Sequence, residues 1–306
     1  MNAPTRLAAF AAALGLAFGG AALAGAALDP TDEQPAGGHA SEDDGHGAQS
    51  GAEALSGLAV SDHGYTLEID RASYRAGETA PFTFRVTDEG GRALRDEYQL
   101  EHEKELHLIV VRRDTAVFEH IHPSRGEDGT WSIDLTLPDP GVYRAYADFK
   151  VAGERRTLAT DLFVPGNFQP EALPTPEPTA EAVDIAGKPA GGLDVAIEAP
   201  GVRARRETML VFAVTQSGQP FERLEPYLGA KGHLVALREG DLAYLHVHPT
   251  DDGMDMEGDG STDMQMNDNE IMFAATFPTT GRYRLFLQFK TDGEIRTVSY
   301  TVEVPR

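Results

Sequence analysis

The chain has 306 residues, enough for two ordinary domains with tails. Its 26 Lys+Arg against 49 Asp+Glu leave a formal net charge of −23, a field that repels phosphate backbones and argues against nucleic acid as a partner. It has no cysteine, which excludes disulfides, thiolate catalysis, zinc fingers, blue-copper centres and a lipidated-cysteine anchor.

Residues 1–28 come first. Arg6 precedes a run from Leu7 to Leu28 without a charge, rich in Ala, Leu, Gly and Phe and containing the small-x-small pattern Ala24-Gly25-Ala26. This reads as a secretory signal peptide, or as a membrane anchor if uncleaved, since roughly 20 apolar residues suffice to span a bilayer. The rest of the chain is then expected outside the cytoplasm, secreted or in the cell envelope. Residues 29–57 are Gly, Ala, Asp, Glu and Ser with His39 and His46, almost without large apolar residues, and are expected to be disordered.

From Leu58 the texture changes. Tyr65-Thr66-Leu67-Glu68-Ile69 and the run from Ala80 to Val86 alternate apolar with polar residues. Strands are expected at 105–111, 117–122, 131–137, 142–149 and 157–164, with Glu127-Asp128-Gly129, Pro138-Asp139-Pro140-Gly141 and Gly153 among the turn signals between them. Short strands spaced by about 8–12 residues read as an antiparallel β-sandwich over 58–164. Trp131 falls on a strand and is expected in the core. Residues 165–190 carry Pro165, Pro170, Pro174, Pro176, Pro178 and Pro189, a composition expected of an extended linker.

Residues 191–306 repeat the first half as a second sandwich. The stretch from Met209 to Val214 corresponds to Phe82 to Val86. Phe277-Pro278-Thr279-Thr280-Gly281-Arg282-Tyr283-Arg284 corresponds to Leu137-Pro138-Asp139-Pro140-Gly141-Val142-Tyr143-Arg144. The fold class is therefore all-β, with two tandem antiparallel sandwiches. In each half a histidine is followed by His-x-His-Pro: His107 by His120-Ile121-His122-Pro123, and His233 by His246-Val247-His248-Pro249. The second copy then carries extra residues with Met254, Met256, Met264 and Met266, four of the chain's seven methionines, in an acidic loop spanning 254–267.

A two-residue loop at Arg113-Asp114 makes His107 face His120, with His122 two residues on and on the same face. Glu239-Gly240 does the same for His233, His246 and His248. Opposed Cβ atoms are about 5 Å apart, so three imidazoles can share one ion. In this register Glu105 lies opposite His122 as a candidate oxygen ligand, whereas the second copy has Lys231 there. Imidazole serves copper and zinc, and thioether sulfur favours Cu(I). Histidine with methionine and no thiolate, outside the cytoplasm, points to copper, as Cu(I) or Cu(II). Zinc and calcium are the competitors. Asp255-x-Glu257-x-Asp259-Gly260 resembles half a calcium loop, but Met266 stands where its bidentate Glu belongs. His102 lies on a polar stretch and is given no role, and His63 reads as a turn residue.

The stretches Glu105-Leu106-His107-Leu108-Ile109-Val110-Val111, His120-Ile121-His122-Pro123, Gly129-Thr130-Trp131 and Tyr227-Leu228-Gly229-Ala230-Lys231-Gly232-His233-Leu234-Val235, with Tyr244-Leu245-His246-Val247-His248-Pro249, resemble a family of actinobacterial secreted or membrane-attached proteins. The two halves also look similar to the YtkA-like and CopC-like folds. That resemblance implies immunoglobulin-like domains and is in keeping with copper binding. The N-terminal copper-binding histidine of CopC-like proteins has no counterpart here.

Two functions follow as expectations. One is an extracytoplasmic copper-binding protein for resistance, storage or delivery. Its main site would be His233, His246 and His248 with the four loop methionines. A second site would be His107, His120 and His122 with Glu105. The other function is a cell-envelope interaction module that meets a protein partner and uses its histidines structurally. No nucleophile elbow, phosphate loop or HExxH motif is present, so binding rather than catalysis is expected.

Overall fold

The computed structural model describes residues 55–245, 247–249 and 267–306, with His248 described as backbone alone. The expected signal segment, most of the expected disordered stretch, His246 and the methionine loop lie outside the described residues. Among the described residues no helix is long and apolar enough to cross a membrane.

The first half forms β1 (Ser61–Asp62), β2 (Tyr65–Ile69), β3 (Thr79–Thr87), β4 (Tyr98–Gln99), β5 (Leu106–Arg112), β6 (Phe118–Ile121), β7 (Ser124–Arg125), β8 (Trp131–Thr136), β9 (Gly141–Val151) and β10 (Glu154–Val164). The second forms β11 (Thr179–Val183), β12 (Pro189–Glu198), β13 (Glu207–Gln216), β14 (Gln219–Pro220), β15 (Gly232–Arg238), β16 (Tyr244–Leu245), β17 (His248–Pro249), β18 (Glu270–Thr276), β19 (Gly281–Thr291) and β20 (Glu294–Val304). The first sandwich packs sheet β1-β2-β3-β8-β7 on sheet β10-β9-β5-β6, with β4 beside β9. The second is one continuous sheet, β16-β15-β19-β20-β11-β12-β13-β18-β17, with β14 beside β13. There β11 pairs with both β12 and β20 and joins the two layers. The fold is a tandem of immunoglobulin-like antiparallel sandwiches.

The alternation read from sequence decides which side chains meet. Phe82, Phe84, Leu106, Leu108, Val110, Trp131 and Phe149 fill the first core, and Trp131 Nε1 donates to Tyr98 Oη at 3.0 Å. Leu210, Phe212, Leu234, Ala236, Phe273 and Leu285 are among the residues that fill the second. Each half carries a tyrosine corner. Tyr143 Oη donates to the Asp139 carbonyl at 2.8 Å, and Tyr283 Oη to the Thr279 carbonyl at 3.0 Å. The expected linker 165–190 is shorter than its prolines suggest, because β11 lies inside it and belongs to the second sandwich.

Strands β5 and β15 are buried on both faces. One face looks into its own sandwich. The other carries Ile109 and Val111 from β5, or Val235 and Leu237 from β15, and packs against the opposite sandwich. Phe118 stacks on Phe286 with ring centres 4.0 Å apart and planes 5° apart, and Tyr146 meets Tyr244 at 5.5 Å. Tyr244 is the repeat counterpart of Phe118, and Phe286 that of Tyr146. The same pair of positions therefore meets twice with the halves exchanged, the signature of an isologous contact, here within one chain. Tyr146 Oη also donates to the Leu242 carbonyl at 2.7 Å. The incoming segment is pinned at this seam. Tyr244 N–H donates to the Ser56 carbonyl, and Arg144 donates to the Gly57 and Leu58 carbonyls at 2.9 and 2.7 Å. Gly57 has φ +70°, and a Cβ there would sit 2.8 Å from both Tyr146 and Tyr244.

Candidate metal centre

The β5–β6 hairpin differs from the expected one by two residues. Ile109, not His107, lies opposite His120, and the register continued by one step puts His107 opposite His122. The loop is four residues rather than two: Arg112 N–H donates to the Val117 carbonyl, and Thr115 turns with φ +64°. Asp114 does not stand at the turn tip because its carboxylate is drawn onto Arg112 Nε at 2.8 Å and Ala116 N–H at 3.3 Å. The second hairpin shifts in the same way. Leu237 pairs with Tyr244, and Arg238 N–H donates to the Ala243 carbonyl. A slip of two keeps every side chain on its face, so the histidines still converge.

His107, His120 and His122 form one cluster, with one ring nitrogen from each lying within 4.8 Å of the other two. His107 Nδ1 is 3.0 Å from His120 Nε2 and 3.1 Å from His122 Nε2. The ring centres are 5.3, 5.0 and 5.1 Å apart, a near-equilateral triangle. Imidazoles bonded to one ion at ~2.0 Å in tetrahedral directions have ring centres about 5 Å apart.

Proton positions follow from the far side of each ring. His107 Nε2 is 3.1 Å from the Glu101 carbonyl, which only accepts, so Nε2 carries the proton and a neutral His107 presents a bare Nδ1. His120 Nδ1 is 2.9 Å from Gln288 Oε1, also an acceptor, so His120 presents a bare Nε2. In these tautomers the lone pairs of His107 Nδ1 and His120 Nε2 converge at 3.0 Å, an arrangement that could hold a shared cation. Burial, reinforced by the neighbouring imidazoles, pushes the His120 pKa well below its ordinary value. Burial first, then His107 and Lys104, lowers that of His122 to about 3. Both rings are therefore neutral at ordinary pH.

His233 joins from the other sandwich. It donates from Nε2 to the Tyr227 carbonyl at 3.1 Å, the repeat of the His107–Glu101 bond. Its ring centre lies 6.1 Å from that of His107 and 6.2 Å from that of His120. Burial, followed by His102 and His107, lowers its pKa to about 3. His102, given no role by sequence, stacks edge-on against His233 at 4.7 Å. It sits with Glu103 at the tip of a tight turn closed by Glu101 and Lys104, with φ of +47° and +63°. The counterpart turn is Leu228-Gly229 with Leu228 at φ +53°, so both copies hold a non-glycine residue at positive φ, at a cost of about 1 kcal/mol or more, and the first copy puts a histidine there. No local sequence pattern marked His102, because its partner His233 lies in the other sandwich. A cavity of about 30 Å³ opens beside His107, His120 and His233, enough for a water-sized ligand. Asp148, beside His107 across β5 and β9, lines it and accepts from Thr157 Oγ1 at 2.8 Å and Tyr244 Oη at 3.3 Å. Its buried carboxylate would offset the charge of a cation held by neutral rings.

Glu105 is not among the ligands. Both its oxygens are engaged by Arg125, at 2.9 and 3.0 Å. The two-residue shift also removes it from opposite His122. The remaining expected ligands, His246, Met254, Met256, Met264 and Met266, lie outside the described residues, as does the side chain of His248.

Fold and site together define a tandem-sandwich protein with a candidate three-histidine cation site at the seam between its halves. The chain belongs to the family described as Domain of unknown function (DUF8832), whose model matches residues 59–166 and 188–306. No curated protein matches it. Among solved structures it is similar to FdeC, an Escherichia coli adhesin, at 13% identity over 81% of this chain and 66% of that one, TM-score 0.26. It is similar to invasin, a bacterial integrin-binding protein, at 14% identity over 78% and 39%, TM-score 0.22. Domains 4 and 5 of the S-layer protein SbsC match at 12% identity over 81% and 100%, TM-score 0.21. The chain thus spans less than two thirds of the FdeC and invasin chains. Superpositions this poor carry no argument about function.

Proposed function

We propose that this chain is an extracytoplasmic metal-binding protein that holds copper for resistance, storage or delivery, with His107, His120 and His122 as its ligands. The observation that carries the reading is the convergence of three ring nitrogens, two of them left bare because carbonyl acceptors hold the opposite protons. Outer acceptors that fix tautomer and ring orientation are the usual companions of metal-ligating histidines. The choice of copper rests on an all-imidazole triad, the absence of thiolate and the methionines of the second copy. Bound there, the ion would be held and released rather than used for turnover.

The test is titration of the full chain with Cu(I), Cu(II) and Zn(II) against a competing chelator, beside a variant with His107, His120 and His122 all replaced by Ala. Wild type should bind copper at a stoichiometric site that the variant lacks, because all three ligands have been removed. A second equivalent surviving in the variant would assign the second copy's histidines as a further site. Equal binding by both proteins would leave the triad structural and favour the envelope interaction module.

A further inference from the structure

His120 turns its Nδ1 away from the other two ligands and across the seam to Gln288 of the second sandwich. Gln288 lies on β19, opposite His233 in the β15–β19 register, and is 6% exposed. Behind it, Nε2 donates to Thr297 Oγ1 on β20 at 3.3 Å, while Oε1 faces His120 Nδ1 at 2.9 Å. A carboxamide oxygen only accepts, so this contact selects one of two neutral tautomers of His120. The tautomer selected is the one whose Nε2 lone pair points at His107 and His122. Within the first sandwich, the position equivalent to Gln288 is Asp148, whose carboxylate is engaged by Thr157 and Tyr244. The orienting contact on His120 thus comes from the other half of the chain.

We propose that Gln288 is a positioning residue for the His107–His120–His122 site, holding His120 as its Nδ1–H tautomer so that the site is complete only when the two sandwiches are docked. This rests on the metal reading above. Loss of an outer acceptor on a ligating histidine lowers metal affinity by about 10–100-fold. Docking the sandwiches and loading the ion are then linked: each favours the other by the same factor.

The test uses the full chain, with copper as the probe. Gln288→Met keeps the side chain's length and removes the acceptor, and is expected to weaken copper binding about 10–100-fold. Gln288→Glu restores an acceptor and should hold affinity within about threefold of wild type. In the ion-free protein, ring ¹⁵N spectra should show His120 protonated at Nδ1 in wild type and in Gln288→Glu, and shifted toward Nε2–H in Gln288→Met. The proposal is overturned by an Nε2–H tautomer in wild type, or by copper affinity in Gln288→Met equal to wild type. The spectroscopic result on wild type stands even if Gln288→Met fails to fold. A wild-type chain that binds no copper overturns the metal reading and this inference with it. Binding that ignores position 288 overturns this inference alone.

Discussion

Replacing Phe286 by Ala lowers the unfolding free energy by about 3–5 kcal/mol and loosens the two sandwiches from each other. Phe286 is 4% exposed and belongs to the apolar cluster of the seam, not to either sandwich core. Its ring lies flat on Phe118 at 4.0 Å, and Arg284 sits 5.6 Å from its centre. Both flanking strands hold the backbone, as Phe286 pairs with Val235 on β15 and Ser299 on β20. The site therefore cannot collapse to refill the space, which places the cost at the upper end for aromatic truncation. Denaturant unfolding of wild type and Phe286→Ala measures it, and small-angle scattering reports whether the halves separate. A change below about 1 kcal/mol, the range of ordinary surface substitutions, would mean that the seam is not a packed interface.

Saturating copper should raise stability by about 4 kcal/mol when free ion is a thousandfold above its dissociation constant. For a folded region of this size that corresponds to a rise in Tm of roughly 10 °C. The triple His→Ala variant should show no such gain. The same histidines set a pH dependence in the ion-free protein. In the unfolded chain a histidine titrates near 6.5, whereas the folded protein holds His122 and His233 at about 3 and His120 well below its ordinary value. Between those limits the unfolded state binds more protons, so stability is present above about pH 6.5 and is lost as pH falls toward 3. The slope is up to about 1.4 kcal/mol per pH unit for each histidine. Melts with and without copper at pH 7.5 and pH 5 check both effects. A copper-independent Tm, or a flat profile between these pH values, would contradict them.

Much of this architecture is legible in the sequence. Alternation at Tyr65–Ile69 and from Ala80 to Val86 located β2 and β3, and the expected strand at 157–164 lies within β10. The repeat of His-x-His-Pro located the triad, because a two-residue error in hairpin register leaves side chains on the same face. Three features were hidden for physical reasons. Proline density masked β11, since a strand flanked by prolines reads as linker until its two partners, β12 and β20, are known. Glu105 looked like a ligand only while its true partner, Arg125, twenty residues away, was unassigned. The apolar outer faces of β5 and β15 could not be interpreted within one sandwich. Ile109, Val111, Val235 and Leu237 are apolar because the other half of the chain covers them. His102 and Gln288 gain their places from that same contact, which no local pattern encodes.

On the proposed function, one cation is held among His107, His120 and His122. A crystal of the copper-loaded full chain, with anomalous differences measured at the copper edge, tests it most directly. The expected result is a single peak about 2.0 Å from His107 Nδ1, His120 Nε2 and His122 Nε2. Copper found elsewhere with these three nitrogens unligated, or no ordered copper at all, would contradict it.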